Sequence, residues 1–342
     1  MTKRQRRASC LVIVIILLLL PACRVSTAEG LVTTAGKLSV HFIDVGQGAS
    51  QLIIGPTGKT MLIDGGNNSE EAKMVAYLQR QQVSKVDILI ATHPDADHVG
   101  GLDAVINHFD IGKIYMPKVQ SNTKTFEDVL KAIKAKSLKV STAKAGLTLE
   151  WEQDVEVLML APVGVYGETN EMSAVVKLSY GENSFLLTGD AEGESESDMM
   201  KSGFSLKADV LLVGHHGSHS STSTSWLKNV QPQYAVIQSG PNNYGHPASE
   251  VLGRLKKQGS DVLRTDEVGN IIFISDGETL KVNHTDSLKD AEKTAITNNK
   301  EIKQNVYESC AAVRDAGKSQ IRRGDPGFNA KLDRDGDGVA CE

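Results

Sequence analysis

The sequence predicts a mixed α/β domain built from packed layers, followed by a small separate module at the C-terminus. Short apolar strand-like segments run in succession from residue 37 to residue 63, and strands then alternate with helix-like segments up to residue 280. This order is typical of domains in which helices cover β-sheets. The chain has 342 residues, 40% of them hydrophobic and 23% charged, so it can bury a large core.

The elements follow from apolar runs and from the turn residues between them. Ser69 is expected to N-cap the first helix because Glu70 and Glu71 would occupy its first turn. The predicted helices span residues 69–82, 102–109, 125–136 and 247–258. The predicted strands span residues 38–45, 51–54, 60–63, 86–92, 111–116, 155–160, 174–178, 185–188, 209–213, 234–237, 262–264 and 271–275.

The first 22 residues have the pattern of a bacterial export signal. A basic start precedes the apolar run Leu11–Leu20, which is shorter than the roughly 20 residues that span a bilayer. Leu20-Pro-Ala-Cys23 resembles a lipobox, which implies cleavage before Cys23 and a lipid on its sulfur. The alternatives are an ordinary signal cleaved near Ala28 and an uncleaved anchor. All three place the protein outside the cytoplasm, at the cell surface or secreted, with residues 23–36 as a tether.

The charge of the chain argues against simple electrostatic attraction of DNA. Loss of the four basic residues in the signal would lower the formal net charge from −5 to −9. The overall field would then repel a polyanion, so metals or local basic residues must attract any such substrate.

Candidate metal ligands are concentrated in residues 92–101, T-H-P-D-A-D-H-V-G-G, directly after a predicted buried strand. Imidazole and carboxylate side chains that converge at a strand-to-helix turn are the ligands of hard or borderline divalent metals. The candidates here are His93, Asp95, Asp97 and His98.

Three later segments add further ligand-type side chains. Residues 185–190 end in Asp190, residues 210–218 include His215 and His216, and His246 lies in a tight turn before a proline. With one member of the His215–His216 pair, the candidates number seven, which suits two metals sharing a carboxylate. Which member is the ligand stays open at this point. The lone residues His41, His108 and His284 are predicted to be structural.

Together these motifs, H-x-D-x-D-H-x-G-G, T-G-D, H-H-G-S and N-x-Y-G-H-P, resemble the metallo-β-lactamase superfamily and specifically the hydrolase domain of the ComEC competence proteins. Residues 42–48, 62–66, 170–173 and 264–266 also match that group. The resemblance covers residues 37–280. It implies a four-layer αββα sandwich with two divalent metals, Zn²⁺ or Mn²⁺, at one edge between the sheets.

The resemblance also implies roles for individual residues. Asp95 stands where most lactamase-fold enzymes carry histidine, and this harder ligand favours Mn²⁺ alongside Zn²⁺. Asp190 is expected to bridge the metals, and a hydroxide between them to attack phosphorus. His246, or the member of the His215–His216 pair that is not a ligand, would protonate the leaving group. The predicted catalytic residues are Asp97, His216 and His246.

Some positions depart from the family pattern. His219 stands where a lysine often follows H-H-G-S, which puts a phosphate contact in doubt, and Ala49 replaces an aspartate. Asn170 lies in the region of a histidine found in many superfamily members and is a candidate site residue. Ser218 is either a phosphate contact or simply a turn residue.

The C-terminal residues 305–342 carry a second metal-binding pattern, separated from the large domain by a polar linker at 281–304. Acidic residues alternate there as in a Ca²⁺ loop, and a backbone carbonyl would serve at position seven. The predicted calcium ligands are Asp333, Asp335, Asp337, Val339 and Glu342.

Two cysteines remain in this module once Cys10 and Cys23 are assigned to the signal and the lipid site. Cys310 and Cys341 are an even pair in an oxidising compartment, which predicts a disulfide. The module resembles the Excalibur domain, a bacterial surface module. Its basic residues either bind anionic cell-wall polymer or DNA, or form an ordinary solvated face.

The function implied is a surface-anchored, metal-dependent phosphodiesterase or nuclease acting on extracellular DNA. One alternative keeps the chemistry and changes the substrate to a cell-wall or small-molecule phosphodiester, ester or lactam. Another is a non-catalytic, Ca²⁺-dependent wall-binding protein, which the intact ligand set argues against. The segment after residue 280 is not hydrophobic, so we do not expect a ComEC-type membrane channel in this chain or DNA uptake as its primary role.

Overall fold

A computed structural model describes residues 36–285, 307, 309–315, 317–322, 330–333 and 339–341. The predicted signal peptide, the lipid-site residue Cys23 and most of the predicted linker lie outside these residues. Within the described part of the chain, none of the helices has the length and apolar character needed to cross a membrane.

The strands of the large domain are β1 (Leu38–Phe42), β2 (Gln51–Ile54), β3 (Thr60–Ile63), β4 (Lys85–Ile90), β5 (Asp110–Met116), β6 (Val140–Thr142), β7 (Val155–Ala161), β8 (Val175–Tyr180), β9 (Asn183–Leu187), β10 (Val210–Leu212), β11 (Tyr234–Ile237), β12 (Asp261–Arg264), β13 (Asn270–Ser275) and β14 (Leu280–Thr285). The helices are α1 (Glu71–Arg80), α2 (Ala96–Val99), α3 (Leu102–His108), α4 (Lys124–Ala135), α5 (Gly193–Lys201), α6 (Thr224–Val230), α7 (Ser249–Gln258) and α8 (Thr265–Val268).

These strands form two mixed sheets. The first has the order β14-β13-β1-β2-β3-β4-β5-β6, and the second has the order β12-β11-β10-β9-β8-β7. Strands β3 to β6 are parallel to one another, as are β9 to β12. The carboxyl ends of parallel neighbours lie at one edge of a sheet. The loops after β3 and β4 therefore lie together at one edge of the first sheet, and the loops after β9, β10 and β11 lie together at one edge of the second.

The core lies between the two sheets. The ring of Phe273 packs edge-on against Phe42 of the same sheet and against Phe185 of the other, with ring centroids 6.0 Å apart in each pair. Helices α1, α3 and α4 cover the outer face of the first sheet, and α5, α6 and α7 cover that of the second. The predicted four-layer αββα arrangement is therefore confirmed.

Helix α4 shows how local sequence selects the elements. The Thr123 side chain accepts a hydrogen bond from the Phe126 N–H, which caps the first turn. Phe126, Val129 and Ile133 then recur at helical spacing and are buried against the first sheet. By contrast, α5 was not among the predicted elements, because its buried face includes the polar residues Ser195 and Glu196.

Several boundaries differ from the sequence-based expectation, and β1 ends at Phe42 and not at residue 45. Helix α1 begins at Glu71, after a 3₁₀ turn over Asn68–Glu70, so Ser69 is not its N-cap. The first sheet continues past residue 280, because β14 pairs with β13 as far as Thr285.

The described part of the C-terminal module has its own small core. Helix α9 (Cys310–Asp315) precedes β15 (Ile321–Arg322) and β16 (Val339–Ala340), which pair antiparallel. The predicted disulfide is present, with the Cα atoms of Cys310 and Cys341 5.3 Å apart. The side chains buried around it include Val313, Ile321 and Ala340.

Candidate metal centre

The candidate ligands come together at the edge where the parallel strands end. Thr92 to His98 follow β4 of the first sheet, and Asp190 follows β9 of the second. His215 and His216 lie on a 3₁₀ turn after β10, and both have left-handed backbone conformations, with φ of 47° and 53°. A left-handed φ is uncommon for non-glycine residues and often marks a functional turn.

A first cluster contains His93, His98 and Asp190, whose ligand atoms all lie within 4.8 Å of one another. Nε2 of His98 is 3.1 Å from Oδ1 of Asp190, and Nε2 of His93 is 3.9 Å from its Oδ2. All three side chains are buried. Nε2 of His93 has no hydrogen-bond partner although it is buried.

A second cluster contains Asp97, His98 and His216 and satisfies the same distance limit. Nε2 of His216 lies 3.2 Å from Oδ2 of Asp97 and 3.3 Å from Nε2 of His98. It is also 3.5 Å from Oδ2 of Asp190. The Asp190 carboxylate therefore contacts imidazoles of both clusters.

The hydrogen bonds to the histidine Nδ1 atoms direct all three Nε2 atoms to this centre. Oγ1 of Thr92 donates to Asp64, so its single proton is used and it accepts from Nδ1–H of His93 at 3.0 Å. Nδ1–H of His98 donates to Asp64 at 2.7 Å, and Nδ1–H of His216 donates to the Gln238 carbonyl at 2.9 Å. Second partners of this kind set the tautomer and orientation of metal-binding histidines.

Asp64 is a functional residue to which the sequence analysis assigned no role. Its carboxylate is fully buried and accepts hydrogen bonds from the backbone N–H of Thr92 at 2.8 Å, from the hydroxyl of Thr92 at 2.7 Å and from His98. The signal was present, because Asp64 directly follows the apolar strand β3, as Asp190 follows β9. Sequence alone does not reveal that the Asp64 carboxylate supports the candidate ligand His98, whereas the Asp190 carboxylate joins the cluster.

The remaining candidates surround the two clusters. Asp95 is partly exposed, and its Oδ2 is 3.7 Å from Nε2 of His93. The ring centroid of His246 is 5.2 Å from that of His215, and its buried Nδ1 has no hydrogen-bond partner. Neither Asp95 nor His246 belongs to the two compact clusters.

His215 has a different environment from His216. Its Nδ1 is 2.5 Å from Oε1 of Glu192, and its Nε2 is 3.8 Å from Oδ2 of Asp190. Nδ2 of Asn170 lies 3.3 Å from the same Nδ1 atom, and Ser220 donates to Glu192 at 2.8 Å. The structure thus places Asn170 beside His215, at the rim of the centre.

The charges of the cluster stabilise one another. Burial alone would lower the pKa of His98, but the Asp190 and Asp64 carboxylates raise it well above its usual value. Burial alone would raise the pKa of Asp190, but His216 and His98 hold it well below its usual range. For His93, burial dominates and lowers the pKa to about 3, so this ring is neutral and its nitrogen is available as a ligand.

An open cleft of about 1160 Å³ leads to the centre. Four carboxylates and four histidines line it, and the described lining residues include no lysine or arginine. Ser218 and His219 are among them, and Oγ of Ser218 is 2.7 Å from Oγ of Ser220. The described residues at this site therefore offer hydroxyl and imidazole groups to a phosphate, but no lysine or arginine side chain.

The donor set fits divalent metals. Imidazole nitrogens and carboxylate oxygens are the ligands of Zn²⁺ and Mn²⁺, and a buried imidazole nitrogen without a partner is what a metal-binding position requires. Of the calcium ligands predicted in the C-terminal module, Asp333, which is buried, and Val339 lie in the described part of the chain. The predicted ligands Asp335, Asp337 and Glu342 lie outside it.

Comparisons with known proteins give two family matches. The profile of the metallo-beta-lactamase superfamily matches residues 43–240, and that of the Excalibur calcium-binding domain matches residues 307–342.

Three curated relatives share the large domain. ComE operon protein 3 of Bacillus subtilis is 32% identical over 253 residues, covering 68% of this chain and 32% of that protein. Recombination protein 2 of Haemophilus influenzae is 33% identical, with coverages of 68% and 28%. Competence protein ComA of Neisseria gonorrhoeae is 31% identical, with coverages of 67% and 31%. The chain thus spans about a third of the length of these relatives.

The contacts of Asp64 generate a first prediction. Asp64→Asn weakens metal binding by about 10- to 100-fold, because the amide no longer fixes the tautomers of His98 and, through Thr92, of His93. The measurement is competition for Zn²⁺ with a chromophoric chelator. Asp154→Asn, in an exposed loop, is the matched control and binds as the wild type does. Unchanged affinity in a folded Asp64→Asn protein would contradict the prediction.

Proposed function

The chain belongs to the metallo-beta-lactamase superfamily, and on that premise we propose that it is a metal-dependent phosphodiesterase that hydrolyses extracellular DNA. The observation that carries the proposal is the contact of one buried carboxylate, Asp190, with both imidazole clusters. The choice of DNA is supported by two of the relatives, which are named as a recombination protein and a competence protein. Both processes act on DNA.

The ligands divide between two metals for a chemical reason. One imidazole nitrogen serves one metal, whereas the two oxygens of a carboxylate can serve two. Since His98 lies in both clusters, we assign it to the metal that Asp97 and His216 would hold, and Asp190 would be the shared ligand. His93 and Asp95 would hold the other metal together with Asp190, and His246 is the additional candidate at the rim.

The metals, when bound, supply a nucleophile at neutral pH from water and stabilise negative charge on the phosphoryl oxygens. The protein itself orients the Nε2 atoms of His93, His98 and His216. Their Nδ1–H groups donate to Thr92, to Asp64 and to the Gln238 carbonyl, respectively. His215 is the member of the histidine pair left to move a proton. Glu192 accepts from its Nδ1–H and stabilises the protonated ring, whose Nε2–H would then pass to the leaving oxygen and leave the ring neutral.

The two ends of the chain support a location at the cell surface. We place a lipid on Cys23 and a calcium ion in the C-terminal module, held by Asp333, Asp335, Asp337, Val339 and Glu342. The match to the Excalibur calcium-binding domain supports the second assignment. Through this module the protein would contact the anionic polymer of the cell wall.

A second substrate class is favoured by one specific observation. The described cleft residues include four carboxylates but no lysine or arginine. This is unusual for a site that binds a long polyanion. A cell-wall or small-molecule phosphodiester, ester or lactam is the alternative substrate. A purely structural role is opposed by the complete donor set.

Metal-dependent cleavage is the direct prediction. The protein converts plasmid and linear DNA to shorter products with Mn²⁺, Zn²⁺ or Mg²⁺, as gel electrophoresis would show. Asp97→Ala lowers the rate by more than about 100-fold, because a ligand is lost, while Asp154→Asn retains it. Cleavage that persists in Asp97→Ala would contradict the site. Hydrolysis of a teichoic acid phosphodiester, but not of DNA, would favour the alternative substrate.

The histidine pair gives a prediction that separates ligand from proton donor. His216→Ala loses bound metal, whereas His215→Ala keeps its metal and loses about 100- to 10,000-fold in kcat. Metal content by mass spectrometry and steady-state rates measure the two effects. The reverse pattern, with metal lost only in His215→Ala, would exchange the two assignments.

The C-terminal module is tested by calorimetry on the full chain. Calcium binds with a Kd of about 10⁻⁴–10⁻³ M, as in other extracellular modules, and Asp333→Asn abolishes this event. Asp97→Ala, which alters the other centre, leaves it intact. Calcium binding lost in Asp97→Ala but kept in Asp333→Asn would place the ion in the large domain.

A further inference from the structure

An exposed tyrosine stands at the mouth of the cleft. Tyr244 lies in the loop after β11, lines the cleft, and is 77% exposed. Its ring centroid is 5.9 Å from that of His246, and the two planes are inclined by 33°. Because most of this side chain is exposed, its ring is accessible to a molecule that enters the cleft.

The loop that carries Tyr244 is braced rather than loose. The Asn242 side-chain carbonyl accepts from the backbone N–H of Tyr244 at 3.0 Å and from that of His246 at 3.1 Å. Its amide group donates to the His246 carbonyl at 2.7 Å and to Gln47 at 3.2 Å. The backbone that carries the ring is therefore ordered before any ligand arrives, which reduces the entropy cost of using this loop in binding.

Because of the composition of the cleft, the Tyr244 ring is well suited to contact a substrate. The described lining residues include no lysine or arginine, and Tyr244 is the one phenol or indole ring among them. Metals and histidines can hold the reacting phosphate, but they do not distinguish what it is attached to. Stacking of a planar base on an aromatic ring needs no positive charge, so an acidic cleft can use it.

We propose that Tyr244 is a stacking platform for an unpaired nucleobase next to the scissile phosphodiester. The proposal rests on the proposed function and deepens it, because it selects nucleic acid over polymers without bases. In a duplex the face of each base is covered by its neighbours, and uncovering it costs free energy. The preferred substrate is therefore single-stranded DNA or a frayed strand end.

The test compares the full-length protein with Tyr244→Leu and Tyr244→Phe on two metal-supplemented substrates. One is a single-stranded oligothymidylate, and the other has the same length and phosphates but abasic residues throughout its centre. On the strand with bases, Tyr244→Leu raises KM by about 5- to 150-fold with kcat little changed, and Tyr244→Phe behaves like the wild type. On the abasic strand all three proteins have similar KM values.

The outcomes distinguish the stacking role of Tyr244 from the DNA hydrolysis on which that role depends. An unchanged KM in Tyr244→Leu, or an equal rise on both strands, would overturn the stacking role while DNA hydrolysis stands. Failure of the wild type to cleave either strand, with hydrolysis of a generic phosphodiester retained, would overturn the DNA substrate and the stacking role together. Melting temperatures of the variants within about 2 °C of the wild type exclude a general loss of fold.

Discussion

The buried carboxylate of Asp64 is the contact on which the rest of the metal centre depends. It binds the backbone and hydroxyl of Thr92 and the ring of His98, and so joins the ends of two neighbouring parallel strands, β3 and β4. Because the Thr92 hydroxyl is engaged, it can only accept from His93. One carboxylate therefore determines which nitrogen of two different histidines faces the centre.

The second sheet completes the centre through an equivalent anchor. Gln238 accepts from His216 with its backbone carbonyl, and its side-chain amide donates to the carbonyls of Ile43 and Ser50, in the loop that joins β1 and β2 of the first sheet. The same residue thus orients a ligand and ties the two sheets together at their shared edge. Burial of this amide is compensated by its hydrogen bonds, as a polar group in a core requires.

Much of this arrangement was readable from the sequence, because strand ends deliver side chains to one edge of a parallel sheet. His93, Asp190 and His216 come just after apolar runs, Asp97 and His98 lie in the short helix α2 that follows β4, and the structure brings all of them together. The α4 helix was predicted within one residue at each end, since its cap and apolar spacing agree. The disulfide pairing also followed from the count of cysteines.

Other features depend on partners far along the chain and could not be read locally. His215 and His216 are adjacent and both have left-handed backbones, and their difference arises from Glu192 on one side and Gln238 on the other. Asp64 and Asp190 share one sequence signal but have different partners. The 3₁₀ turn before α1 was missed because Ser69 and its acidic neighbours equally suit a helix cap.

In the proposed function, Asp190 is the carboxylate shared by two metals. The most direct measurement is anomalous X-ray diffraction from crystals of the Mn²⁺- or Zn²⁺-loaded protein. We expect two metal peaks per chain, about 3.5–4 Å apart, with the Asp190 carboxylate bound to both. A single metal, or two metals that do not share Asp190, would contradict it.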